Sequence, residues 1–300
     1  MGRDLKSWLL LVLLACIWGS SFILMKRGMI SLDGSPIFSD AQVGALRMSI
    51  AGLVMLPFGW MARKKITTMK QVLSLMVVGF FGNFFPAFLF TFAETKLSSG
   101  LAGMLNSFTP FFTLLIGWML FKQGLKWQQV IGLVIAFGGI VLLVGLGDAT
   151  TSKEDFIYIG AIMLATVMYG TSLNTIKHTL SAFKSWEITA LAFSIVAIPA
   201  WLSSYFTGTF EVVSTNKNAF EGLGFITILS VVGTCLALVI FNRIIALKSA
   251  VFASSVTYVI PIVAVLMGVL FLKETFHLLQ LAGMLVVISG VFIANTARSK

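Results

Sequence analysis

The stretch 96–123, KLSSGLAGMLNSFTPFFTLLIGWMLFKQ, recurs 151 residues later as 247–274, LKSAVFASSVTYVIPIVAVLMGVLFLKE. At this one offset, without a gap, the matched residues include Ser98, Ala102, Pro110, Gly117 and Lys122, which align with Ser249, Ala253, Pro261, Gly268 and Lys273. Apolar identities arise easily by chance in an apolar chain, but matched proline, lysine and glycine residues do not. The pattern therefore predicts an internal duplication, which decides the fold.

The same offset relates further segments of the chain. It aligns Gly19, Ser21 and Lys26 with Gly170, Ser172 and Lys177, Gly82 and Phe90 with Gly233 and Phe241, and Gln129, Gly132 and Gly139 with Gln280, Gly283 and Gly290. In the last group the glycines lie seven residues apart, about two helical turns, so they share one helix face and favour close packing. We interpret the two helices that carry them as scaffolding.

The composition places this duplication in a membrane. Of 300 residues, 58% are apolar and 11% are charged, and the mean hydropathy is +0.99. A soluble domain carries roughly 25% charged residues, so a soluble enzyme and a disordered chain are both excluded. One bilayer-spanning helix takes about 20 residues, and about ten would use roughly 200 of them.

A hydropathy pass predicts ten spans, separated by charged or turn-forming residues. They lie near residues 7–27, 41–62, 71–93, 98–120, 127–146, 156–177, 186–206, 222–243, 250–272 and 275–296. Residues 1–147 would form the first five-helix repeat and residues 148–300 the second. Because five is odd, the second repeat would enter the membrane from the opposite side. The predicted fold class is all-α integral membrane, with ten transmembrane helices in two inverted five-helix repeats, an arrangement that suits alternating access.

The distribution of basic residues predicts the orientation. With both termini on the cytoplasmic side, the inner segments hold fourteen Lys and Arg residues and the outer segments six, a clear positive-inside bias. This bias accounts for the net charge of +10 without a nucleic-acid partner. The first span continues past Gly19-Ser20-Ser21 with no cleavage site, so we expect a retained helix. The predicted location is the inner (plasma) membrane, with several passes.

Three motifs carry a family resemblance: Trp18-Gly19-Ser20-Ser21, Ala45-Leu46-Arg47, and Ala246-Leu247-Lys248-Ser249-Ala250 leading through Pro261 to Lys273-Glu274. Together the motifs resemble the EamA-type family of the drug/metabolite transporter superfamily, over nearly the whole chain and in two copies. The resemblance implies a central cavity lined mainly by helices 1, 3, 4, 6, 8 and 9. It also implies small-molecule transport, often efflux of amino acids or other metabolites. Gln123 departs from the pattern, because the second copy has Glu274 at that place.

Polar side chains at mid-membrane depth indicate a pathway, because they are costly unless they are paired or meet water. The candidate substrate-binding residues are Trp18, Ser21, Asn83, Asn106, Tyr169, Asn174 and Tyr258. Aromatic rings with polar atoms can orient a ligand in an apolar cavity, and an asparagine amide needs several partners. Each residue type also has a structural alternative: serine can bond back to its own helix, asparagine can join helices, and aromatic rings can simply pack.

Pro110 and Pro261 are matched prolines near the centres of predicted helices 4 and 9. Since proline has no N–H, the carbonyls of Asn106 and Thr257 lose their usual helical donor. Such a carbonyl could bind a substrate amine or a water, or a neighbour could satisfy it within a packing kink. The matched pair is predicted to act as a hinge.

Arg47 is the cation that lies clearly within a predicted span, and an intramembrane charge is a functional candidate. Structural pairing, with Glu94 as a possible partner, is the favoured interpretation, and carboxylate or phosphate binding is the alternative. Lys26 and Lys177 are expected to snorkel to the membrane interfaces, with a role as gate charges as the alternative.

The chain shows no P-loop for ATP and no His/Cys cluster for a metal, so no cofactor and no catalytic residue are predicted. Cys16 and Cys235 are expected to be packed thiols. The predicted function is secondary transport of small metabolites, amino acids or similar amphipathic compounds, in the direction of efflux. The predicted partners are a small-molecule substrate and the lipid bilayer. The alternatives are a lipid or sugar-nucleotide carrier, and an integral-membrane enzyme or scaffold. Energy coupling is left open: uniport, exchange, or proton coupling through Glu94.

Overall fold

The computed structural model describes residues 3–124, 126–145, 155–248, 253, 256–274 and 278–296. Long helices dominate this part of the chain. They are α1 Arg3–Met29, α2 Asp40–Ala62, α3 Met69–Glu94, α4 Ser99–Phe121, α5 Trp127–Gly145, α6 Asp155–Thr179, α7 Ser185–Phe206, α8 Ala219–Leu247, α9 Val256–Leu272 and α10 Leu278–Thr296. A 3-10 turn, Arg63–Lys65, follows α2, and a short helix, Thr209–Thr215, precedes α8.

Seven helices of the described part are long and apolar enough to cross a membrane, namely α1 to α4 and α6 to α8. The others carry shorter apolar stretches, Trp127–Gly139 in α5, Val259–Leu272 in α9 and Leu281–Gly290 in α10. The prediction of an all-α membrane fold is therefore confirmed, with seven membrane-length helices in the described part of the chain. The count of ten and the inverted arrangement stay predictions.

Three helices are interrupted near their middles. π-helical turns occupy Phe80–Phe84 in α3 and Val231–Leu236 in α8, which begin 151 residues apart. In α4 the helix ends at Asn106 and begins again at Thr109. Pro110 therefore does not kink a continuous helix, because it lies in the first turn of the second segment, where its missing N–H costs no helical hydrogen bond.

The main core is shared by α1, α3, α4, α6, α8 and α9, with Leu14, Phe90, Leu105, Ile162 and Ile260 among its buried side chains. Two flanking pairs stand beside it, α2 on α7 and α5 on α10. Many large apolar side chains on the outer helix faces remain exposed. Such surfaces are unfavourable in water and are expected where helices face lipid.

The α5–α10 pair packs through its matched glycines. Gly139 lies against the backbone of Val287 and Gly283, and Gly290 lies against the backbone of Ala136. Without a side chain at these positions the two helix backbones approach closely, which is the usual basis of helix association in lipid. This contact agrees with the scaffolding role expected from the sequence.

We expect Gly139→Ala to destabilise the protein. An added Cβ would lie 2.7 Å from the Val287 backbone nitrogen, and such overpacking costs about 1–3 kcal/mol. The matched control is Gly138→Ala, because a Cβ at Gly138 meets nothing within 4 Å. Thermal unfolding of the two variants in detergent is the measurement, and equal melting temperatures would contradict the packing described.

Candidate functional site

A cavity of about 140 Å³ lies at the centre of the helices. This volume is close to the roughly 150 Å³ of an engineered protein cavity that holds benzene. Six residues predicted from the sequence line it: Trp18, Ser21, Arg47, Asn83, Asn106 and Tyr169. The lining residues come from the six core helices and also from α2 and α7, which the family resemblance did not imply.

Arg47 is the one charged residue among the described side chains that line the cavity. Its Nε donates a hydrogen bond to Thr234 Oγ1 at 2.9 Å, and its Nη1 lies 3.8 Å from Met25 Sδ. Among the described residues, no acidic side chain lies within 4.0 Å of it. The expected ion pair with Glu94 is therefore absent from the described contacts, and Arg47 presents a positive charge to a mainly apolar cavity.

Trp18 is held against the π-helical turn of α8. Its indole Nε1 donates to the Gly233 carbonyl at 3.1 Å, and its ring lies 5.1 Å from the Phe241 ring, centroid to centroid. Gly233 also lies against the Ser21 side chain. The glycine lets α1 approach α8 closely enough for the indole to reach the backbone.

Asn83 and Thr234 occupy equivalent places in the two π-helical turns. Asn83 Nδ2 donates to the Val78 carbonyl at 3.0 Å, and Thr234 Oγ1 donates to the Leu229 carbonyl, also at 3.0 Å. Each side chain thus supplies a donor to the carbonyl five residues before it. π-helical turns often occur at functional sites, and both of these line the cavity.

The carbonyls four residues before each proline already accept hydrogen bonds from side-chain hydroxyl groups. Thr109 Oγ1 donates to the Asn106 carbonyl at 2.9 Å, and Ser107 Oγ donates across to the Thr257 carbonyl at 2.9 Å. The sequence left open whether these carbonyls would bind a substrate amine, a water or a neighbouring group. In the structure a neighbouring hydroxyl donates to each. The Ser107 bond also joins the break in α4 to α9.

Asn174 is buried outside the cavity lining. Its Nδ2 donates to the carbonyls of Thr113 and Gly170, each at 2.8 Å, and its Oδ1 accepts from Gln123 Nε2 at 2.8 Å. With its donors and acceptor in use, it joins α6 to α4, which was the structural alternative for asparagine. Tyr258 belongs to α9, but its side chain lies outside the described residues.

Ser21 and Tyr169 line the cavity in different ways. The Ser21 hydroxyl donates to the Ile17 carbonyl of its own helix at 2.9 Å, the structural alternative expected for serine. The Tyr169 ring stacks on Phe90 at 6.0 Å.

Six polar lining residues are additional to the site predicted from the sequence: Thr109, Ser172, Thr189, Thr234, Asn242 and Thr257. Ser172 is the repeat equivalent of Ser21, so the offset itself could have identified it. Thr189 and Asn242 lie near the ends of their predicted spans, and the expectation of mid-membrane depth excluded them. The cavity therefore reaches further along α7 and α8 than depth alone predicts.

Lys26, Glu94, Ser99 and Glu274 form one end of the molecule, here named the Lys26 end. Lys26 Nζ pairs with Glu274 Oε1 at 2.7 Å, so Lys26 does not merely snorkel. The Ser99 N–H donates to both Glu274 oxygens at 3.0 and 3.1 Å. Burial alone would raise the pKa of Glu274, but the hydrogen bonds from Lys26 and Ser99 outweigh it and hold this pKa below its ordinary value.

The repeat-related end, here named the Gln123 end, has the same backbone conformation at its turn. It carries Gln123 where the Lys26 end carries the charged Glu274. Lys122 and Lys273 both adopt left-handed φ angles, 53° and 54°. The next amide in each case bonds back to a glycine carbonyl, Gln123 to Gly117 and Glu274 to Gly268. Gln123 Nε2 then contacts Asn174 Oδ1 and His178 Nε2, whereas its counterpart Glu274 makes an ion pair.

A second ion pair, between Lys65 Nζ and Glu187 Oε1 at 2.6 Å, joins the end of α2 to the start of α7. Within the described ranges no group of three or more His, Cys, Asp or Glu side chains could hold a metal. Cys235 is buried as expected, but Cys16 is exposed, because it shares an outward face of α1 with Val12 and Leu13.

Several known proteins resemble the chain over its length. An uncharacterized transporter of Archaeoglobus fulgidus is 25% identical over 295 residues, which cover 98% of this chain and 100% of the relative. A probable terminal-alkyne amino-acid exporter of Streptantibioticus cattleyicolor is 22% identical over 292 residues, covering 95% and 92%. A solved crystal structure matches the fold with a TM-score of 0.62 at 14% identity, over 96% of both chains.

The model of the EamA-like transporter family matches the chain twice, over residues 6–145 and 156–296. These two matches together span nearly all of the chain, and they agree with the resemblance carried by its motifs. The chain belongs to the EamA-like transporter family, whose members are multi-pass membrane proteins.

Proposed function

We propose that this protein is a secondary transporter of the inner membrane that exports amino acids or similar small amphipathic carboxylates through its central cavity. The observation that carries the proposal is Arg47, a cation in the cavity wall with no acidic partner among the described residues. An unpaired charge in a mainly apolar cavity is costly. A cargo carboxylate would supply the missing partner.

The arrangement around Arg47 matches a small amphipathic cargo. A guanidinium group can hold a carboxylate through two parallel hydrogen bonds. Asn83 and Asn106 would meet polar groups of the cargo, while Trp18, Phe90 and Tyr169 offer apolar faces to its side chain. The small volume of the cavity also favours a cargo the size of an amino acid over a larger one.

One relative supports this choice of cargo by its name, probable terminal-alkyne amino-acid exporter. Its alignment spans most of both chains. An amino acid carries a carboxylate, which is the group that Arg47 is suited to bind. The direction of transport, outward, is proposed on the same support.

Alternating access is the proposed mechanism, with ten transmembrane helices in two inverted repeats, residues 1–147 and 148–300, and both termini in the cytoplasm. Contacts recur in exchanged form at the repeat offset: Gly82 lies on Ser172 as Gly233 lies on Ser21, and Gly19 lies on Val263 as Gly170 lies on Phe112. The family model also matches each half separately. Two halves of equal build can exchange conformations and so expose one site to either side.

The alternatives have less support. A sugar-nucleotide or lipid carrier would need several cations for its phosphates, and Arg47 is the sole charged residue among the described cavity-lining residues. An enzyme would need converging catalytic groups, which the described lining does not offer. A scaffold would not require matched polar positions around a cavity.

The first experiment is uptake by proteoliposomes from a mixture of metabolites, read by mass spectrometry, with empty liposomes as the control. We expect enrichment of amino acids or related carboxylates. Arg47→Gln should lower their transport about tenfold to a hundredfold, because a hydrogen bond to a charged group contributes about 1.5–3 kcal/mol. Enrichment of phosphorylated compounds instead would contradict the proposed cargo.

The matched control is Arg243→Gln, which removes an exposed arginine near the end of α8. It should transport like the original protein. If Arg47→Gln folds and also transports normally, Arg47 does not bind the cargo.

Pro110, at the break in α4, and Pro261, in the interior of α9, are proposed to act as hinges. Pro110→Ala and Pro261→Ala should each slow transport several-fold while expression stays intact. An alanine N–H can bond to the carbonyl of Asn106 or Thr257, which would join the two segments of α4 or stiffen α9. Initial rates of amino-acid exchange are the measurement. Pro57→Ala, in the exposed part of α2, is the control, and unchanged rates in the two hinge variants would contradict this role.

A further inference from the structure

Glu94 is a buried carboxyl group that the proposed cargo site does not use. It ends α3 at the Lys26 end, and only 3% of its surface is exposed. Neither of its carboxyl oxygens has a hydrogen-bond partner among the described residues. The Ser99 hydroxyl, at the same end, is likewise buried without a partner in the described part.

Charged groups face Glu94 from three neighbouring elements: Lys26 on α1, Arg47 on α2 and Glu274 just beyond α9. From α6, the titratable side chains in this region are Tyr158 and Tyr169, which stack on Phe92 and Phe90 of α3.

Neither nearby cation neutralises Glu94 by direct contact. Lys26 is already paired with Glu274 at 2.7 Å, and Arg47 donates to Thr234. Within the described part, no basic nitrogen lies within 4.0 Å of the Glu94 carboxyl group.

An ionised carboxylate in this position would be strongly unfavourable. Burial of a charge without hydrogen bonds or a paired ion costs several kcal/mol, and a protein group so placed takes up a proton instead. The neutral carboxyl group avoids most of that cost. We propose that Glu94 is a proton-binding site, occupied while the Lys26 end is closed and emptied when that end opens.

The neighbouring ion pair explains why opening would release the proton. Opening has to break the Lys26–Glu274 contact, which joins α1 to the end of α9. Lys26 then becomes free to pair with Glu94, and water reaches the carboxyl group, so that its O–H bond breaks and the proton passes to water at this end. Glu274 stays ionised throughout, because the hydrogen bonds from Lys26 and Ser99 hold its pKa below the ordinary value in the closed state and water solvates it in the open one.

Glu94 therefore does not hold a proton while the Lys26 end is open. A low pH at this end favours closure, and each closure takes one proton from the water there. If the protein exports carboxylates as proposed above, this step makes the transport cycle depend on the pH at the Lys26 end. That dependence rests on the proposed function, whereas proton binding by Glu94 does not.

The test uses the purified full-length protein in lipid nanodiscs and needs no cargo. Infrared spectra through a pH titration detect the C=O stretch of a protonated carboxyl group. Spin labels at Leu32→Cys and Phe271→Cys, both exposed positions of the Lys26 end, measure its opening. The labels are placed in a Cys16→Ser background, since Cys16 is exposed.

We expect the protonated band at neutral pH and its loss as the pH rises, in step with a longer distance between the labels. Glu94→Gln should remove the band and keep the short distance at every pH, because its amide is neutral and close in size to the protonated acid. Glu94→Asp should shift the band. The control Glu211→Gln, which changes an exposed acid of the short helix Thr209–Thr215, should behave like the original protein.

Two results with Glu94→Gln would overturn the proposal: a protonated band that persists, or a label distance whose pH dependence is unchanged. A distance that responds to sodium ions and not to pH would also overturn it, in favour of a cation site. Failure of the amino-acid uptake experiment would leave these readouts standing, so the two proposals can fail separately.

Discussion

A backbone group that loses its helical partner inside a bilayer must find another, because no water is present to replace it. The central helices of this protein depend on that constraint. At the π-helical turns the replacement donors are Asn83, Thr234 and the Trp18 indole. At the break in α4 and beside Pro261 they are Thr109 and Ser107. Many of the polar side chains around the cavity thus complete irregular helices and at the same time form the cavity wall.

The two halves share a backbone plan but differ in their charged groups. The π-helical turns, the prolines and the left-handed residues Lys122 and Lys273 recur at one offset. The chemistry does not recur: Arg47 falls opposite Ile198 in the repeat, and Gln123 falls opposite Glu274. A symmetric framework permits equivalent movements of both halves. The unmatched charges make the two ends of the molecule, and the two sides of the cavity, chemically different.

Most of the framework was predictable from the sequence, and much of the local detail was not. Hydropathy and the repeat place the helices within a few residues, because burial in lipid requires long apolar segments. The same patterns do not show π-helical turns, because these turns interrupt a helix without ending its apolar segment. Depth along a helix also does not determine which way a side chain points. Asn83 and Asn106 reach the cavity, but Asn174, chosen by the same argument, joins α6 to α4. Likewise, charge and depth made Glu94 a partner for Arg47, whereas the described contacts of Arg47 are with Thr234 and Met25.

The turn that ends α9 sets the position of the Glu274 carboxylate. Gly268 leaves room for that carboxylate to fold back over the helix, and the Glu274 amide bonds to the Gly268 carbonyl. The spacing from the glycine to the acid is therefore a fixed length in the chain. A single inserted or deleted residue between them would rotate the acid away from Lys26, since each helical residue turns by about 100°. Homologous sequences can vary in loop length elsewhere, but an insertion or deletion at this turn would break the Lys26–Glu274 ion pair.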